Sequence, residues 1–395
     1  MNSAQQSQTQ TPSQQQAGSP LHIVFNAMST RPGGGLTILL GILKGLTTQK
    51  DFAFRATVVC SAQGTREGIE KQGIATVVQP LKDAGGIKRQ YWITRSMGKY
   101  VGNLDADILL SMNQYINSVK CPQVVYHVNL LRFMPVDPKA SFKEKIFEHL
   151  RNYSARAALK KCAANVFESE YIRETAAKVF QSKNPNDQVI YIGLPDNLAQ
   201  SKPNDVPTDY VNTQLMSITN GNPHKDNTTL MNLVAELVEL RPDVDWKLKI
   251  AGGLFNDLWE KYRQQATDLG VVDRIEWLGF LQQDQLTELL HESMCLVLTS
   301  QVESFCMVAL ESMARGCPSI VADCASMPES VGDASILVPP GDAAAFAKAA
   351  IEFHDSREKR SDYSERGFKH IERFRWETCG REFAELFTKL ARAKS

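Results

Sequence analysis

Short apolar, β-rich runs alternate with helical patterns along almost the whole chain, and that alternation leaves few folds open. "LHIVFNA" (21–27) is followed by a glycine-rich loop and the helical pattern "LTILLGILKGL". Then come "FRATVVCS", "IATVVQP", "DILLSMN", "QVVYHVN", "ANVFES" and "QVIYIG", each separated from the next by helical or loop sequence. The polar stretch "LPDNLAQSKPNDVPTDY" (194–210) interrupts the series, which restarts with "QLMSITNG", "KLKIAGG", "RIEWLGF", "CLVLTS", "PSIVAD" and "SILVPPG". Runs so short and apolar are strands buried on both faces, and their alternation with helices means parallel sheets covered by helices. Two such series predict two doubly wound, Rossmann-like α/β domains, residues 21–200 and 201–372, facing across a cleft. Residues 373–395 read as a terminal helix returning to the first domain. Ligands of such sheets bind beyond the carboxyl ends of the strands.

Composition excludes several function classes. No run approaches the roughly 20 apolar residues that a bilayer requires. Residues 1–20, rich in Gln, Ser and Thr, lack the basic head and apolar core of a signal peptide and read as a disordered tail. The eight cysteines are scattered without a CxxC pair, which argues against a zinc site or a disulfide framework and for a reducing cytoplasm. Residues 21–200 hold 23 Lys and Arg against 14 Asp and Glu, whereas residues 201–395 hold 21 against 30. The basic half suits an anionic partner, and solvated surface is the plainer alternative.

Candidate site residues fall at strand ends. Gly33, Gly34 and Gly35 follow the first strand and precede a helix, where they let backbone approach an anion or simply form a flexible turn. They match neither a GxGxxG fingerprint nor a P-loop, which disfavours a Rossmann dehydrogenase. His127 ends a central strand of the first domain; it either hydrogen-bonds a substrate or is a structural histidine. Arg132 lies just beyond. In the second domain Lys225 precedes a helix starting near Asn227, so its ammonium and the helix N–H groups converge on a phosphate-sized space, Asp226 or Asn227 being the alternative N-cap. Glu303 follows the strand "CLVLTS", and Glu311 comes eight positions later, about one turn inside a helix that starts near Met307. The free N–H groups of residues 304–308 are expected to surround a diphosphate, and the carboxylates to accept hydroxyl hydrogen bonds.

In context these residues resemble the family 4 retaining glycosyltransferases of the GT-B fold, the group 1 glycosyl transferases. Their Glu-x7-Glu segment is matched by Ser300, Glu303, Phe305, Glu311, Met313, Ala314, Gly316 and Pro318, and further downstream by Glu329 and Gly332. "GNPHKDN" is similar to the family's phosphate loop, and the likeness runs over residues 21–385. The resemblance implies that Glu303 holds the donor sugar's hydroxyls, with Ser304, Phe305, Cys306 and Met307 supplying backbone amides. It implies that Glu311 holds the ribose, Lys225 neutralises the diphosphate, Phe280 and Leu281 face the base, Gly33 to Gly35 approach the phosphates and acceptor, and His127 lines the sugar pocket. Catalysis then rests on His127, Glu303 and Lys225, without a metal or other cofactor. Two residues depart from the pattern: Cys306 stands where the family has Gly, and Asn222 where it often has Arg.

"DAD" (105–107) imitates the metal motif of the other glycosyltransferase fold, but it sits immediately before the strand "ILLSM", where acidic loop residues are common, and that structural reading is the one adopted. Residues 86–104 place Lys88, Arg89, Arg95 and Lys99 near Trp92, Ile93 and Met97 on a basic amphipathic helix, either a solvated face or a contact with an anionic membrane. The expectation is a cytoplasmic enzyme, peripheral at the inner membrane face, that moves a hexose from a UDP- or GDP-linked donor to a glycan or lipid-linked acceptor. Its setting would be lipopolysaccharide or capsule synthesis, and nucleic acid is not a partner. The alternatives are a nucleotide-sugar 2-epimerase and a catalytically silent nucleotide-sugar-binding subunit.

Overall fold

The computed structural model describes residues 19–135, 142–181, 184–195, 198, 213–253 and 258–393. The tail expected over residues 1–20 thus falls almost wholly outside the described residues, as does most of the linker 194–210.

The first sheet comprises β1 (Leu21–Ala27), β2 (Phe54–Cys60), β3 (Thr76–Val78), β4 (Ile108–Met112), β5 (Gln123–His127), β6 (Ala164–Phe167) and β7 (Gln188–Val189). Their order is β3-β2-β1-β4-β5-β6-β7. The second comprises β8 (Gln214–Ile218), β9 (Lys247–Ala251), β10 (Ile275–Gly279), β11 (Cys295–Leu298), β12 (Ser319–Ala322) and β13 (Ser335–Val338), in the order β10-β9-β8-β11-β12-β13. All strand pairs are parallel. β4, β5, β6, β11 and β12 are buried at every residue, which is why they read as unbroken apolar runs. Each order reverses once, between β1 and β4 and between β8 and β11, and crevices for ligands open at such switch points.

Two segments differ from expectation. "QVIYIG" pairs only at Gln188–Val189, because the chain then leaves the sheet edge, and Leu194 bridges Arg375 at the start of the terminal helix. Residues 86–104 form two helices, Gly86–Arg95 and Met97–Gly102, rather than one. Ile93 and Met97 are buried with Val24, Val59 and Leu109, and Trp92 packs against them, so these apolar side chains belong to the core and are not free to meet a membrane.

The helix Trp376–Arg392 packs on the helix Gly34–Thr47 of the first domain. A Cβ added to Gly45 would lie 2.0 Å from the Trp376 carbonyl oxygen, so the two backbones touch only because glycine is there. Tyr126 and Phe383 stack edge-on at 5.4 Å beneath this contact, which anchors the terminal helix to β5. No helix among the described residues is long and apolar enough to cross a membrane.

Candidate active site

The second sheet's switch point carries the most connected polar cluster. After β8 the chain makes a short 3-10 turn, Pro223–Lys225, and enters the helix Asn227–Leu240 through Asp226, in left-handed conformation with φ 48°. Asp226 caps that helix by accepting from the Thr229 N–H at 3.3 Å and its hydroxyl at 2.7 Å. Beyond β11, Thr299 Oγ1 donates to the Lys225 and Asp226 carbonyls, and Gln301 N donates to the His224 carbonyl at 2.8 Å. These bonds staple the two loops flanking the switch point. The result brings Lys225 Nζ to 2.6 Å from Glu303 Oε1, each side chain only 18% exposed.

Cys306 lies at φ −85°, an ordinary L-residue conformation, and its side chain is buried. Burial pushes its thiol up to about 12, so it is a small apolar group and does not intrude on the cleft. The amide expectation needs correction. Cys306 N donates to Ser330 Oγ at 3.2 Å and Met307 N to the Phe305 carbonyl at 2.9 Å. That leaves the N–H groups of Ser304, Phe305 and Val308 without a partner among the described residues. Met307 opens the helix Met307–Met313, and Glu311 lies one turn inside it. Burial raises the Glu311 carboxyl above the usual range, against the pull of Arg315 and a hydrogen bond with Gln283. Arg315 is held by Thr287 Oγ1 at 2.9 Å and by the Glu311 carbonyl at 2.7 Å.

The remaining predicted residues are placed less uniformly. Asn222 is exposed and donates its N–H to Asn220 Oδ1 at 3.0 Å. Phe280 is 73% exposed just past β10, whereas Leu281 packs partly against the core. Gly33 (φ 115°) is the N-cap of the helix Gly34–Thr47 that follows β1, and Gly34 and Gly35 are its first residues; all three are exposed, with open space where a Cβ would stand on Gly33 and Gly34. Arg132 is buried on the first domain, donating to the Arg151 carbonyl at 3.4 Å, and is not joined to the Lys225 cluster. Asp107 of "DAD" accepts from His22 N at 2.8 Å, a bond that ties the start of β4 to β1.

His127 is fully buried rather than facing an open pocket. Its ring stacks on Phe167 at 5.0 Å and meets Phe133 at 5.2 Å, and Nε2 donates to Asn165 Oδ1 at 3.1 Å. Burial lowers its pKa to about 3, overcoming the Asn165 bond. An unfolded histidine titrates near 6.5, so the folded chain binds fewer protons below that value. His127 therefore contributes stability that is complete above about pH 6.5 and lost towards pH 3, at about 1.4 kcal/mol per pH unit. Thermal melts should show this slope flattened between about pH 6.5 and 4 in His127→Gln; an unchanged slope would mean that the imidazole is charged in the fold.

The first domain closes on this cluster. Leu130 N, just past β5, donates to Ser304 Oγ at 2.8 Å, and Ser169 Oγ donates to the Ser304 carbonyl at 3.1 Å. Residue 304 therefore touches the other domain with side chain and backbone while Glu303 beside it holds Lys225.

Residues 206–370 match the family model of glycosyl transferases group 1. A D-inositol 3-phosphate glycosyltransferase from Corynebacterium efficiens is 28% identical over 176 residues, 44% of this chain and 42% of that protein. Its counterpart from Corynebacterium glutamicum is 30% identical over 169 residues, 42% of this chain and 40% of that protein. The chain thus spans less than half the length of the curated relatives it matches. Among solved structures, HepE of Anabaena in complex with UDP and glucose superposes with a TM-score of 0.74 at 18% identity, covering 93% of this chain and 100% of that one. WaaG, a glycosyltransferase involved in lipopolysaccharide biosynthesis, gives 0.70 at 15%, covering 93% and 99%. The fold is GT-B.

Two residues at the cleft show their contacts only in the fold. Glu329 of the second domain accepts from Glu170 N at 2.6 Å, Tyr171 N at 2.9 Å and Tyr191 Oη at 2.9 Å, all on the first domain. Glu329 was legible only as a family match, and nothing in the sequence announces its partners. Glu168, directly after β6, is buried at the same boundary; an acid closing the apolar run "ANVF" was the available signal.

Proposed function

We propose that this chain is a retaining glycosyltransferase that moves a hexose from a nucleotide sugar to a hydroxyl of a glycan or glycolipid acceptor in surface polysaccharide synthesis. The observation that carries the reading is the Lys225–Glu303 pair at the switch point of the group 1 domain, beside the Ser304 contact with the first domain. In the unliganded chain the two charges satisfy each other. A nucleoside diphosphate competes for the ammonium, which frees the carboxylate to accept hydrogen bonds from sugar hydroxyls, so donor binding exchanges one pair for two sets of contacts. Lys225 and the unpartnered N–H groups of Ser304, Phe305 and Val308 then take the charge that develops on the leaving diphosphate, and the reading needs no divalent ion.

Retention follows from the likeness of the Glu303–Glu311 segment to family 4. The acceptor hydroxyl attacks on the face from which the nucleotide departs, and a leaving phosphate oxygen takes its proton. HepE's complex with UDP and glucose supports a UDP-linked donor, and WaaG's role supports a lipopolysaccharide setting. Contact with an anionic membrane is part of the proposal. It rests on Ile87 and Tyr91, exposed beside Lys88 and Arg95, in place of the buried Ile93 and Met97.

A thermal-shift screen of UDP-, GDP- and ADP-sugars tests the donor site. A cognate donor at about 100 times its Kd should add about 2.7 kcal/mol of stability. Glu311→Ala should weaken that donor by about tenfold through the lost ribose bond. If no nucleotide sugar stabilises the wild type, the reading fails; if Glu311→Ala binds equally well, the ribose assignment fails.

A further inference from the structure

Glu168 is 3% exposed, and its carboxyl has no hydrogen bond or ion pair among the described residues. Its position is fixed on both sides. Its own N–H donates to the His127 carbonyl at 3.2 Å, and the next residue, Ser169, caps the helix Glu170–Phe180 and donates to the Ser304 carbonyl. Ser169 and Ser304 are thus bonded across the cleft, and their chain neighbours Glu168 and Glu303 flank the same boundary. The Glu168 oxygens are not among the sealed, unpartnered atoms of the structure, so they keep a narrow contact with solvent, and a ligand hydroxyl there would supply the bonds that the fold does not.

We propose that Glu168 is a specificity-determining residue of the sugar subsite, its carboxyl hydrogen-bonding a hydroxyl of the transferred, uncharged hexose opposite Glu303. This deepens the nucleotide-sugar reading and rests on it. Burial, and then the nearby charge of Glu303, raise the Glu168 pKa well above the usual carboxylate range. The group is therefore a neutral acid that both donates and accepts, whereas Glu303 only accepts. Between them the two side chains read a ring carrying hydroxyls of both roles, and Glu303 disfavours a sugar bearing its own carboxylate.

The test compares each sugar nucleotide with its parent nucleotide by calorimetry on the full chain, using UDP, UDP-glucose, UDP-galactose, UDP-glucuronate, GDP and GDP-mannose. The quantity of interest is the ratio of parent-nucleotide Kd to sugar-nucleotide Kd for the donor that the wild type prefers. E168Q, a neutral isostere, should keep that ratio within about threefold, and E168L should lower it by about tenfold or more, with affinity for the parent nucleotide unchanged in both. In the wild type the ratio should fall once the pH is raised far enough to ionise Glu168, whereas in E168Q it should stay flat. That second arm needs no leucine variant to fold. An unchanged ratio in E168L, a loss shared equally by nucleotide and sugar nucleotide, or the same alkaline fall in E168Q overturns the inference and leaves the donor-site reading standing. If the wild type binds no nucleotide or sugar nucleotide, the donor-site reading itself fails and takes this inference with it.

Discussion

Lys225→Ala should lower kcat/KM for glycosyl transfer by roughly 10²- to 10³-fold, the usual effect of removing one preorganised group from a developing negative charge. Two effects contribute. The leaving diphosphate loses the cation nearest the switch point, because Asn222 is neutral and exposed and Arg132 is buried on the other domain. Glu303 also loses its partner at 2.6 Å, which leaves a largely buried carboxylate where an anionic donor must bind. The second effect separates from the first in Lys225→Met with Glu303→Gln, which removes both charges. That double variant should recover nucleotide affinity relative to Lys225→Ala but not turnover. UDP affinity, turnover and melting temperature measured together decide the matter. Turnover within about threefold of wild type in Lys225→Ala would remove Lys225 from the mechanism.

Much of the architecture was open to reading because buried parallel strands have a simple sequence signature. "CLVL" and "SIVA" are apolar at nearly every position, and the helix start at Asn227 follows from Asp226, which caps it. The second domain's candidate site was legible for the same local reason: Lys225, Glu303 and Glu311 follow strands that the pattern marks. What failed to show was contact between residues far apart in sequence. His127 ends a strand as expected, yet Phe133 and Phe167 close over it from separate elements, and no local pattern reveals a lid of that kind. Cys306 departs from the family's Gly, and residue type alone leaves that difference uninterpreted. Its backbone angle shows that the position does not require glycine in this chain. Amides 306 and 307 were counted as free, but Ser330 and the Phe305 carbonyl take them.

Glu329→Ala should open the cleft. The Glu329 carboxylate accepts two backbone N–H bonds from the first turn of the helix Glu170–Phe180 and one from the Tyr191 hydroxyl. A helix start offers N–H groups with no partner of their own and a positive dipole end, so a carboxylate from the opposite domain suits it as a cap. The Tyr191 phenol, pushed up to about 12 by burial and then by its bond to Glu329, remains a donor throughout the working range. In the open form water replaces these contacts, so only the net value of the charge-assisted bonds counts, about 1.5–3 kcal/mol each. Losing all three, about 4.5–9 kcal/mol, would shift the closure equilibrium by roughly 10³-fold or more. Small-angle scattering of the variant should give a larger radius of gyration than the wild type. Under the proposed function turnover should fall with closure, because Glu168 and the bonds of Leu130 and Ser169 to Ser304 reach the second domain across the cleft, whereas affinity for UDP alone, assigned there to Lys225 and Glu311 within one domain, should change little. Glu329→Gln keeps one acceptor oxygen without the charge and should fall between the two. Identical scattering and turnover in Glu329→Ala would show that the aromatic packing of Tyr191, Phe305 and Phe374 holds the domains together without the carboxylate.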